Sequence, residues 1–376
     1  MKRILYKILR LSLYCFQIFP IKRSRILFKS YYGKYYNDNP KAISDFLDCN
    51  KYELVWIVND PTEFVDDRVV FVKAHSVKCL YYLATSKVWI DNCRKPKWVV
   101  KRKEQYYIQT WHGSISFKQI EKDAEEKLTI EYVNNAKFDS KNIDLILSNS
   151  KWSTNLIRRS FWYKGEILEC GTPRLDKLIN CKESYEEKCK KANLDASYEY
   201  ILYAPTFRDE LTVNTYNIDF DIICNELGVK TGKKWKVLYR LHPNMKEKHG
   251  VIEYSENTMD MTEYPNIYDL IGICSYLITD YSSTMFEAGF IEKNVILYWN
   301  DIFDYERQRG MYFQLEDLPF PCAKNNNELV DAFQNIESGN YLERLNAFNR
   351  KLDILEEGTA CFAITNIIEK VTNLNI

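Results

Sequence analysis

Two histidine turns have the composition of a site that transfers protons or contacts phosphate. They are Thr110-Trp111-His112-Gly113-Ser114 and Arg240-Leu241-His242-Pro243-Asn244, in a chain that holds only four histidines. Each turn follows an apolar run typical of a strand, and open α/β sheets bind ligands at the carboxyl ends of strands. Histidine exchanges protons near neutral pH. For either histidine alone, the alternative is an ordinary turn residue that donates to a backbone carbonyl.

A small-hydroxyl turn, in the segment 279–287, provides a second signal at the start of a predicted helix. The free amides at a helix start hold phosphate, and Ser282 and Ser283 add hydroxyl donors. Glu287 lies one turn beyond Ser283 on the same face, where it is able to accept hydrogen bonds from ribose hydroxyls. Taken alone, serines at this position are more often simple helix caps.

Arginines near strand ends complete the set of candidate phosphate contacts: Arg174, Arg208 and Arg240. Guanidinium groups suit the charge and geometry of a pyrophosphate, although each arginine taken singly also fits a surface ion pair. The sequence has no HExxH and no clustered cysteine-histidine spacing, so no metal ligands are predicted. It also has neither GxGxxG nor GxxxxGK[ST], so helix ends and side chains must hold the phosphates.

The elements that position these turns are short apolar runs alternating with helical patterns. This alternation predicts parallel sheets covered by helices, an α/β fold. In the first half the predicted strands are 25–28, 54–58, 69–72, 87–91, 106–110, 145–148 and 167–170. In the second half they are 200–203, 236–240, 276–279 and 295–298.

A length of 376 residues favours two domains, and a charge-dense stretch at 182–197 separates the two blocks of strands. Residues 25–185 are expected to form a first Rossmann-like domain, and residues 198–340 a second. Residues 341–376 are expected to form C-terminal helices. These helices either stay with the second domain or cross back to pack on the first. A cleft between the two domains is expected to hold the ligand.

The N-terminal segment, 1–24, is expected to be a basic amphipathic helix on an anionic membrane. The first 37 residues hold nine basic and no acidic side chains, although the whole chain has a net charge of zero. On a helical wheel the apolar side chains gather opposite a polar side formed by Lys2, Arg3, Lys7, Arg10 and Gln17. A helix that packs on the protein's own core is the alternative. The sequence contains no uninterrupted stretch of about 18 apolar residues, so no membrane span is predicted. Eleven scattered cysteines favour a reducing cytosol as the compartment.

Together the turns resemble those of the CDP-glycerol glycerophosphotransferases of teichoic acid and capsule synthesis. The resemblance is carried by Trp111-His112-Gly113, Gly171-Thr172-Pro173-Arg174, Tyr203-Ala204-Pro205-Thr206, Arg240-Leu241-His242-Pro243 and Thr279-Asp280-Tyr281-Ser282-Ser283. The segments Phe28-Lys29-Ser30-Tyr31-Tyr32-Gly33, Asp38-Asn39-Pro40 and Arg309-Gly310 match as well. The resemblance covers nearly the whole chain after about the first 20 residues, and its motifs are specific as a set.

This resemblance implies a two-domain GT-B fold with a CDP-glycerol or CDP-ribitol donor, in which residues 25–185 form the acceptor side and residues 198–340 bind the donor. No cofactor is expected. It implies an undecaprenyl-diphosphate-linked acceptor at the cytoplasmic face of the cell membrane, and His112 and His242 as the catalytic pair. The residues expected to contact the donor are Trp111, Gly113, Ser114, Arg174, Thr206, Phe207, Arg240, Leu241, Ser282, Ser283 and Glu287.

We therefore expect a peripheral membrane phosphotransferase that moves glycerol phosphate to a hydroxyl of a lipid-linked glycan and releases CMP. His112 is assigned as general base and His242 to donor phosphate charge, and the two roles are exchangeable. A ribitol donor, a nucleotide-sugar glycosyltransferase and a non-catalytic, nucleotide-binding membrane adaptor remain open alternatives. No nucleic-acid partner is expected. The sequence leaves open the identity of the acceptor, whether the enzyme acts as a primase or a polymerase, whether it depends on a metal, and its oligomeric state.

Overall fold

The computed structural model describes residues 2–206, 218–241, 255–299, 310–336 and 339–373. Its contacts divide the chain into two compact units. The first contains Met1–Ser114, Ile120–Ile179 and Asp353–Ile376; the second contains Ile115–Gln119 and Asn180–Leu352. The units thus divide after Ile179, whereas the sequence placed the boundary between 185 and 198. The C-terminal segment 341–376 is split between them at Asp353, because its last part packs with the first unit.

The strands of both units were mostly expected from the apolar runs. The first unit contains β1 (Lys22–Lys29), β2 (Glu53–Val58), β3 (Val69–Lys73), β4 (Ser86–Asp91), β5 (Tyr106–Gln109), β6 (Leu145–Ser148) and β7 (Glu166–Glu169). The second contains β8 (Tyr198–Tyr203), β9 (Lys234–Tyr239), β10 (Thr258–Asp260), β11 (Tyr276–Thr279), β12 (Asn294–Tyr298) and β13 (Cys322–Ala323). The sequence did not predict β10 and β13, which have only three and two residues and no apolar run.

Helices connect and cover these strands. The first unit has α1 (Lys2–Phe16), α2 (Asp38–Phe46), α3 (Val77–Thr85), α4 (Ile130–Asp139), α5 (Lys151–Ser160) and α6 (Pro173–Ile179). The second has α7 (Tyr185–Lys191), α8 (Phe220–Thr231), α9 (Ile267–Ile273), α10 (Thr284–Phe290), α11 (Asn326–Asn335) and α12 (Tyr341–Lys351). The final helix, α13 (Ala360–Thr372), belongs to the first unit.

All strand pairs of the first sheet are parallel, in the order β3-β2-β1-β4-β5-β6-β7. The chain begins at β1 in the middle, moves outward to β3, and then returns to β4 on the other side of β1. Strand order therefore reverses between β1 and β4, which is where open α/β sheets bind ligands. Both faces of the sheet are buried: Leu27 and Ile57 pack in one core cluster, and Phe28 and Trp56 in the other.

The second sheet repeats this plan in the order β10-β9-β8-β11-β12-β13, again with parallel neighbours. Its order reverses between β8 and β11. The two sheets together have the α/β architecture of the GT-B class. In each sheet, the turns after the two central strands are the expected ligand-binding edge.

The charge-dense stretch after residue 182 is ordered as a helix of the second unit rather than as a linker. Ser184 and Glu187 form a capping box at the start of α7, each side chain bonding the other's main-chain N–H. Cys189 on the same helix is fully buried. A cap and one buried contact suffice to fix a helix whose other positions are charged.

The N-terminal helix α1 has two apolar faces. Leu13 is fully buried and, with Tyr6, Leu9 and Phe16, packs against the core of the first unit. A second apolar stripe of the helix stays exposed to solvent: Ile4, Leu5, Ile8 and Leu11. The helix ends at Phe16 and β1 begins at Lys22, so the predicted helical segment 1–24 is too long, because residues 22–24 pair in the sheet.

None of the helices in the described part of the chain combines the length and the apolarity that crossing a bilayer requires.

Candidate active site

Polar turns meet at the carboxyl ends of β1, β4 and β5, beside the reversal of strand order in the first sheet. These strands end at Lys29, Asp91 and Gln109. Because the three strands are adjacent and parallel, the turns that follow them share one edge. His112 lies in the turn after β5 and Asn92 in the turn after β4.

The His112 ring is oriented by a hydrogen bond to the main chain. Its Nδ1 lies 2.7 Å from the carbonyl oxygen of Asn92. A carbonyl oxygen only accepts hydrogen bonds, so Nδ1 carries the ring proton and Nε2 holds the lone pair. Burial lowers the pKa of His112 below its usual value, although the Asn92 hydrogen bond and the Asp38 charge oppose this effect. The ring is therefore neutral at neutral pH, and Nε2 is able to accept a proton.

Asn92 is a fully buried residue that joins three turns of this edge. Its Oδ1 accepts a hydrogen bond from the main-chain N–H of Tyr31 at 2.9 Å, and its Nδ2 donates to Ser30 Oγ at 3.2 Å. Its main-chain oxygen holds His112. We did not predict Asn92 from the sequence. The strand-end rule that identified His112 would have found it, since Asn92 directly follows an apolar strand.

The Trp111 side chain packs directly against the His112 ring. Its φ angle of 53° lies in the left-handed region, which is unusual for a bulky residue. Gln109 and Thr110 stabilise this backbone with hydrogen bonds of 2.9 Å to its N–H and carbonyl groups. The indole stacks on His112 with ring centroids 4.5 Å apart, and it meets Phe161 edge-on at 4.7 Å. Strained backbone held in this way is characteristic of functional sites.

A buried ion-pair network centred on Arg94 lies next to Trp111. The Arg94 guanidinium lies 5.7 Å from the Trp111 ring and forms ion pairs with Glu121 at 2.6 Å and Asp139 at 3.5 Å. Burial raises the pKa of Asp139 to about 7, although the Arg94 charge acts in the opposite direction. One of the two acids beside Arg94 therefore titrates near neutral pH.

Arg174, predicted to contact the donor, instead forms contacts within the first unit. It is buried, its Nη1 forms a 2.6 Å ion pair with Asp38, and its Nη2 donates to the main-chain oxygen of His112 at 3.3 Å. Its own main-chain N–H donates to Asn39 Oδ1 at 3.2 Å. Two guanidinium nitrogens of Arg174 thus already bond protein groups, and its contact with the donor stays a prediction. Sequence reasoning did not assign a role to Asp38.

Gly113 and Ser114, which follow His112 in the chain, have different environments. A Cβ at Gly113 would meet no described atom within 4 Å, so this part of the turn borders open space. Ser114 is buried, and its main-chain oxygen accepts a hydrogen bond from Ser153 Oγ at 3.0 Å. Of the two predicted donor contacts, the half-buried Gly113 is the more accessible.

The C-terminal segment fixes the turn that carries Arg174. Glu356 accepts hydrogen bonds from the Thr172 N–H at 2.9 Å and the Thr172 hydroxyl at 2.6 Å. Asp176 accepts from the main-chain N–H groups of Ala360 and Cys361, at 3.1 and 2.6 Å, where α13 begins. These long-range contacts link the end of the chain to the residues around His112.

In the second unit, Asp280 joins the ends of the two central strands. It is buried, and both of its carboxylate oxygens accept from the Thr206 N–H, at 2.9 and 3.0 Å. The predicted donor contact Thr206 therefore lies at the reversal of strand order between β8 and β11. Phe207 and His242, predicted nearby, lie outside the described residues.

The serine pair lies at the start of α10 and is partly exposed. Ser282 Oγ donates to Thr284 Oγ1 at 2.9 Å and accepts from the Thr284 N–H at 3.3 Å. Ser283 occupies the N-cap position, but its side chain makes no capping hydrogen bond. The simple-cap interpretation thus fails for Ser283.

Glu287 is buried with 1% of its surface exposed, and its carboxylate accepts a hydrogen bond from the Tyr268 hydroxyl. The sequence predicted a ribose contact for this residue. That contact is not tested by these observations and stays a prediction. The structure gives Glu287 a buried protein partner.

Arg240 and Leu241 follow β9. Arg240 Nη2 donates to the main-chain oxygen of Tyr264 at 2.9 Å. Leu241 has a buried side chain, and its N–H donates to Thr262 Oγ1 at 3.2 Å. The prediction that Leu241 contacts the donor therefore does not fit its side chain, which belongs to the core. An apolar residue at a strand end is ambiguous in sequence, because it serves packing as readily as binding.

Within the described ranges, no three histidine, cysteine, aspartate or glutamate side chains are grouped to hold a metal ion. The eleven cysteines are all free thiols, both buried and exposed.

The profile of the family CDP-glycerol:poly(glycerophosphate) glycerophosphotransferase matches residues 12–370. The teichoic acid glycerol-phosphate transferase of Staphylococcus aureus is 32% identical over 93% of this chain and 93% of its own length. The teichoic acid poly(glycerol phosphate) polymerase of Bacillus subtilis is 30% identical over 93% of this chain. This chain spans only 49% of that polymerase's length.

The fold is also similar to the solved structure of the wall teichoic acid polymerase TagF. The TM-score is 0.83 at 27% sequence identity, over 99% of this chain and 95% of the solved one. A further solved structure of a TagF variant, soaked with CDPG, has a TM-score of 0.85 at 28% identity, over 99% of this chain and 96% of that one.

Proposed function

Because the chain belongs to the family of CDP-glycerol:poly(glycerophosphate) glycerophosphotransferases, we propose that it transfers glycerol phosphate from CDP-glycerol to an acceptor hydroxyl and releases CMP. The acceptor would be a lipid-linked glycan or a growing teichoic acid or capsule chain. The observation that carries the proposal in this molecule is the orientation of His112, whose Nε2 is left as the proton acceptor. The glycerol-phosphate transferase and polymerases among the relatives are 29–32% identical to this chain, whereas the glycerol-phosphate primases and the ribitol-phosphate enzymes are 26–27% identical. The higher identities support glycerol over ribitol.

The reaction requires one proton transfer and one exchange of P–O bonds. The acceptor hydroxyl attacks the phosphorus that bears glycerol, and its proton moves to His112 Nε2. The bond between that phosphorus and the bridging oxygen breaks, and CMP leaves with the electron pair. His112 therefore acts as the general base, for which a neutral ring at neutral pH is the required state.

The donor is proposed to bind the second unit, at the reversal of strand order between β8 and β11. Ser282, Ser283 and Arg240 would contact the donor phosphates, and the main chain at Thr206 would border them. His242 and Phe207 are retained in the proposal as donor-side residues on the basis of the sequence motifs. Such donors offset the negative charge that develops on the leaving CMP.

We further propose that the exposed stripe of α1 binds an anionic membrane surface, which would bring the enzyme to a lipid-linked acceptor. Ile4, Ile8 and Leu11 are each more than half exposed, whereas Leu13 is fully buried. Lys7 and Arg10 are exposed on the same helix, and basic side chains next to an apolar stripe favour anionic lipid. The compartment that this proposal implies is the cytoplasmic face of the cell membrane.

The direct test is turnover of purified protein with CDP-glycerol and a soluble acceptor that carries a terminal glycerol phosphate. The expected result is stoichiometric release of CMP and extension of the acceptor by one or more glycerol phosphates. CDP-ribitol as donor is expected to be slower. Release of a nucleoside diphosphate from a nucleotide sugar, or binding of CDP-glycerol without turnover in the presence of acceptor, would contradict the proposal.

A further inference from the structure

A pocket of about 490 Å³, measured with its opening to solvent, lies at the carboxyl ends of β1 and β4 in the first unit. Its apolar walls come from α3 and from residues 96–99. Its polar lining consists of Lys29, Tyr32, His75, Asp91, Arg94 and Lys95. The pocket is thus built at the same reversal of strand order that holds His112, and three of its polar groups are cationic.

Two of these cations already have anionic partners. Lys95 forms an ion pair with Asp91, the acid in the lining. Arg94 pairs with Glu121 at 2.6 Å. In contrast, the Lys29 ammonium group forms no hydrogen bond or ion pair with any described residue, although it lies on the strand position paired with Asp91.

The environment of Lys29 is unfavourable for a charge. Burial lowers its pKa, and the nearby Lys95 acts in the same direction, whereas Asp91 opposes them. Burial followed by the Lys29 charge also lowers the pKa of His75, which therefore adds no cation at neutral pH. An ammonium group removed from water without a partner costs free energy. Sites that break packing rules in this way are expected where a ligand supplies the missing partner.

The turn after β1 links this pocket to the catalytic histidine. Tyr31 and Tyr32 have φ angles of 42° and 60°, both in the left-handed region that bulky residues rarely adopt. Tyr31 lies 5.7 Å from the His112 ring, between ring centroids, while Tyr32 lines the pocket. One strained turn therefore borders both the proton acceptor and the unpaired cation.

We propose that this pocket is an anion subsite for the acceptor, in which Lys29 binds a phosphate group of the acceptor while its terminal hydroxyl reaches His112. The inference rests on the proposed function, since only an acceptor that carries phosphate would use it. Phosphate esters are fully charged at neutral pH, and lysine binds them as a point charge. The apolar walls and the Asp91–Lys95 pair would accommodate the rest of the ester without a second free cation.

The test compares Lys29→Met with wild type, using CDP-glycerol and two soluble acceptors that both end in a glycerol hydroxyl and differ only in whether that glycerol is joined through a phosphate. We expect Lys29→Met to raise the KM for the phosphate-bearing acceptor at least about tenfold, the scale of one lost charge-assisted contact. The donor KM and the turnover of the phosphate-free acceptor should stay unchanged. Lys29→Arg should retain much of the preference for phosphate. Lys87→Met, a lysine on the neighbouring strand β4 at the other edge of the sheet, is the matched control.

Stability separates binding from a structural role. Lys29→Met removes a partly buried charge and keeps an apolar side chain of similar length. Its melting temperature should therefore equal or exceed that of wild type. A lower melting temperature with parallel losses for both acceptors would overturn the proposal. So would an unchanged KM for the phosphate-bearing acceptor.

A second measurement does not depend on turnover. Titration calorimetry with glycerol 3-phosphate should detect binding to wild type and much weaker binding to Lys29→Met. Equal binding by both proteins would overturn the subsite. Failure of wild type to release CMP would instead overturn the proposed function, while the calorimetric difference would still report on the pocket.

Discussion

Arg174 donates a hydrogen bond of 3.3 Å to the main-chain oxygen of His112, and the same guanidinium pairs with Asp38 at 2.6 Å. The turn that carries the proposed base is therefore held by a buried ion pair that belongs to distant segments of the chain. Since Asn92 fixes the ring of His112 and Arg174 fixes its backbone, the direction of Nε2 is determined from both sides. From this relationship we propose that Arg174 positions His112.

Arg174→Ala should lower kcat by about 10²-fold, the scale of a displaced catalytic group, with little change in the donor KM. Breaking a buried pair on one side costs about 3–5 kcal/mol, so unfolding must be measured alongside activity. Asp38→Asn is the matched variant and should show the same kcat defect. A large increase in the KM for CDP-glycerol, with kcat preserved, would restore Arg174 as a donor contact.

His112→Ala should reduce CMP release by at least about 10²-fold and leave the melting temperature nearly unchanged. In wild type, kcat/KM should fall at acidic pH with an apparent pKa below 6.5, because burial lowers the pKa of His112 and only the neutral ring accepts a proton. The acidic limb should move or vanish in the variant's residual activity. Near-normal turnover by His112→Ala would refute the assignment as base.

Glu287→Gln and Tyr268→Phe form a matched pair that tests the buried hydrogen bond between them. If the carboxylate serves Tyr268, both variants should lower stability by about 1–3 kcal/mol and affect the donor KM to a similar, small degree. Deoxyribose versions of the donor sharpen the test. If wild type and Tyr268→Phe discriminate against the deoxyribose donors and Glu287→Gln does not, Glu287 contacts the ribose.

The two faces of α1 should respond oppositely to substitution. Leu13→Ala, at a fully buried position, should cost about 2–5 kcal/mol of stability. The double change Ile8→Ser and Leu11→Ser, on the exposed stripe, should alter stability little and weaken binding to anionic vesicles.

Charge reversal on the same helix provides the electrostatic counterpart. Lys7→Glu with Arg10→Glu should weaken binding to anionic vesicles by about tenfold or more, and high salt should mimic the effect. Turnover of a soluble acceptor should persist. Vesicle binding that survives both sets of surface changes would leave α1 with a packing role only.

Asp139 should give stability an unusual dependence on pH. Its pKa is raised to about 7 by burial, from an ordinary value of 3.8, so between these values the folded state binds more protons than the unfolded state. The free energy of unfolding should therefore fall as pH rises through this window, by up to about 1.4 kcal/mol per pH unit. Asp139→Asn should flatten the dependence, and Asp67→Asn, at an exposed carboxylate, should not. The same slope in Asp139→Asn and wild type would disprove the assignment.

Much of the architecture was readable from the sequence, because strand runs of apolar residues and strand-end turns are local patterns. The runs around Ile26, Val55 and Ile146 each predicted a buried parallel strand, and all three strands lie between the edge strands β3 and β7 of the first sheet. The short strands β10 and β13 were missed, because a strand of two or three residues at a sheet edge has no apolar period to detect. The charge-dense helix α7 was missed because its capping box and one buried cysteine carry a signal weaker than its charges.

The sequence by itself determined which residue types stand at the strand ends, and therefore that His112, Arg174, Thr206 and the serine pair are candidates. Only the tertiary structure decided what each of them contacts. Arg174 is paired with Asp38, which is 136 positions away along the chain, and Glu287 with Tyr268 on another helix. Lys29 has no hydrogen-bond or ion-pair partner among the described residues, although its sequence neighbours give no sign of this. Side-chain partners depend on which strands become neighbours, and that order is set by packing of the whole sheet, which no local pattern encodes.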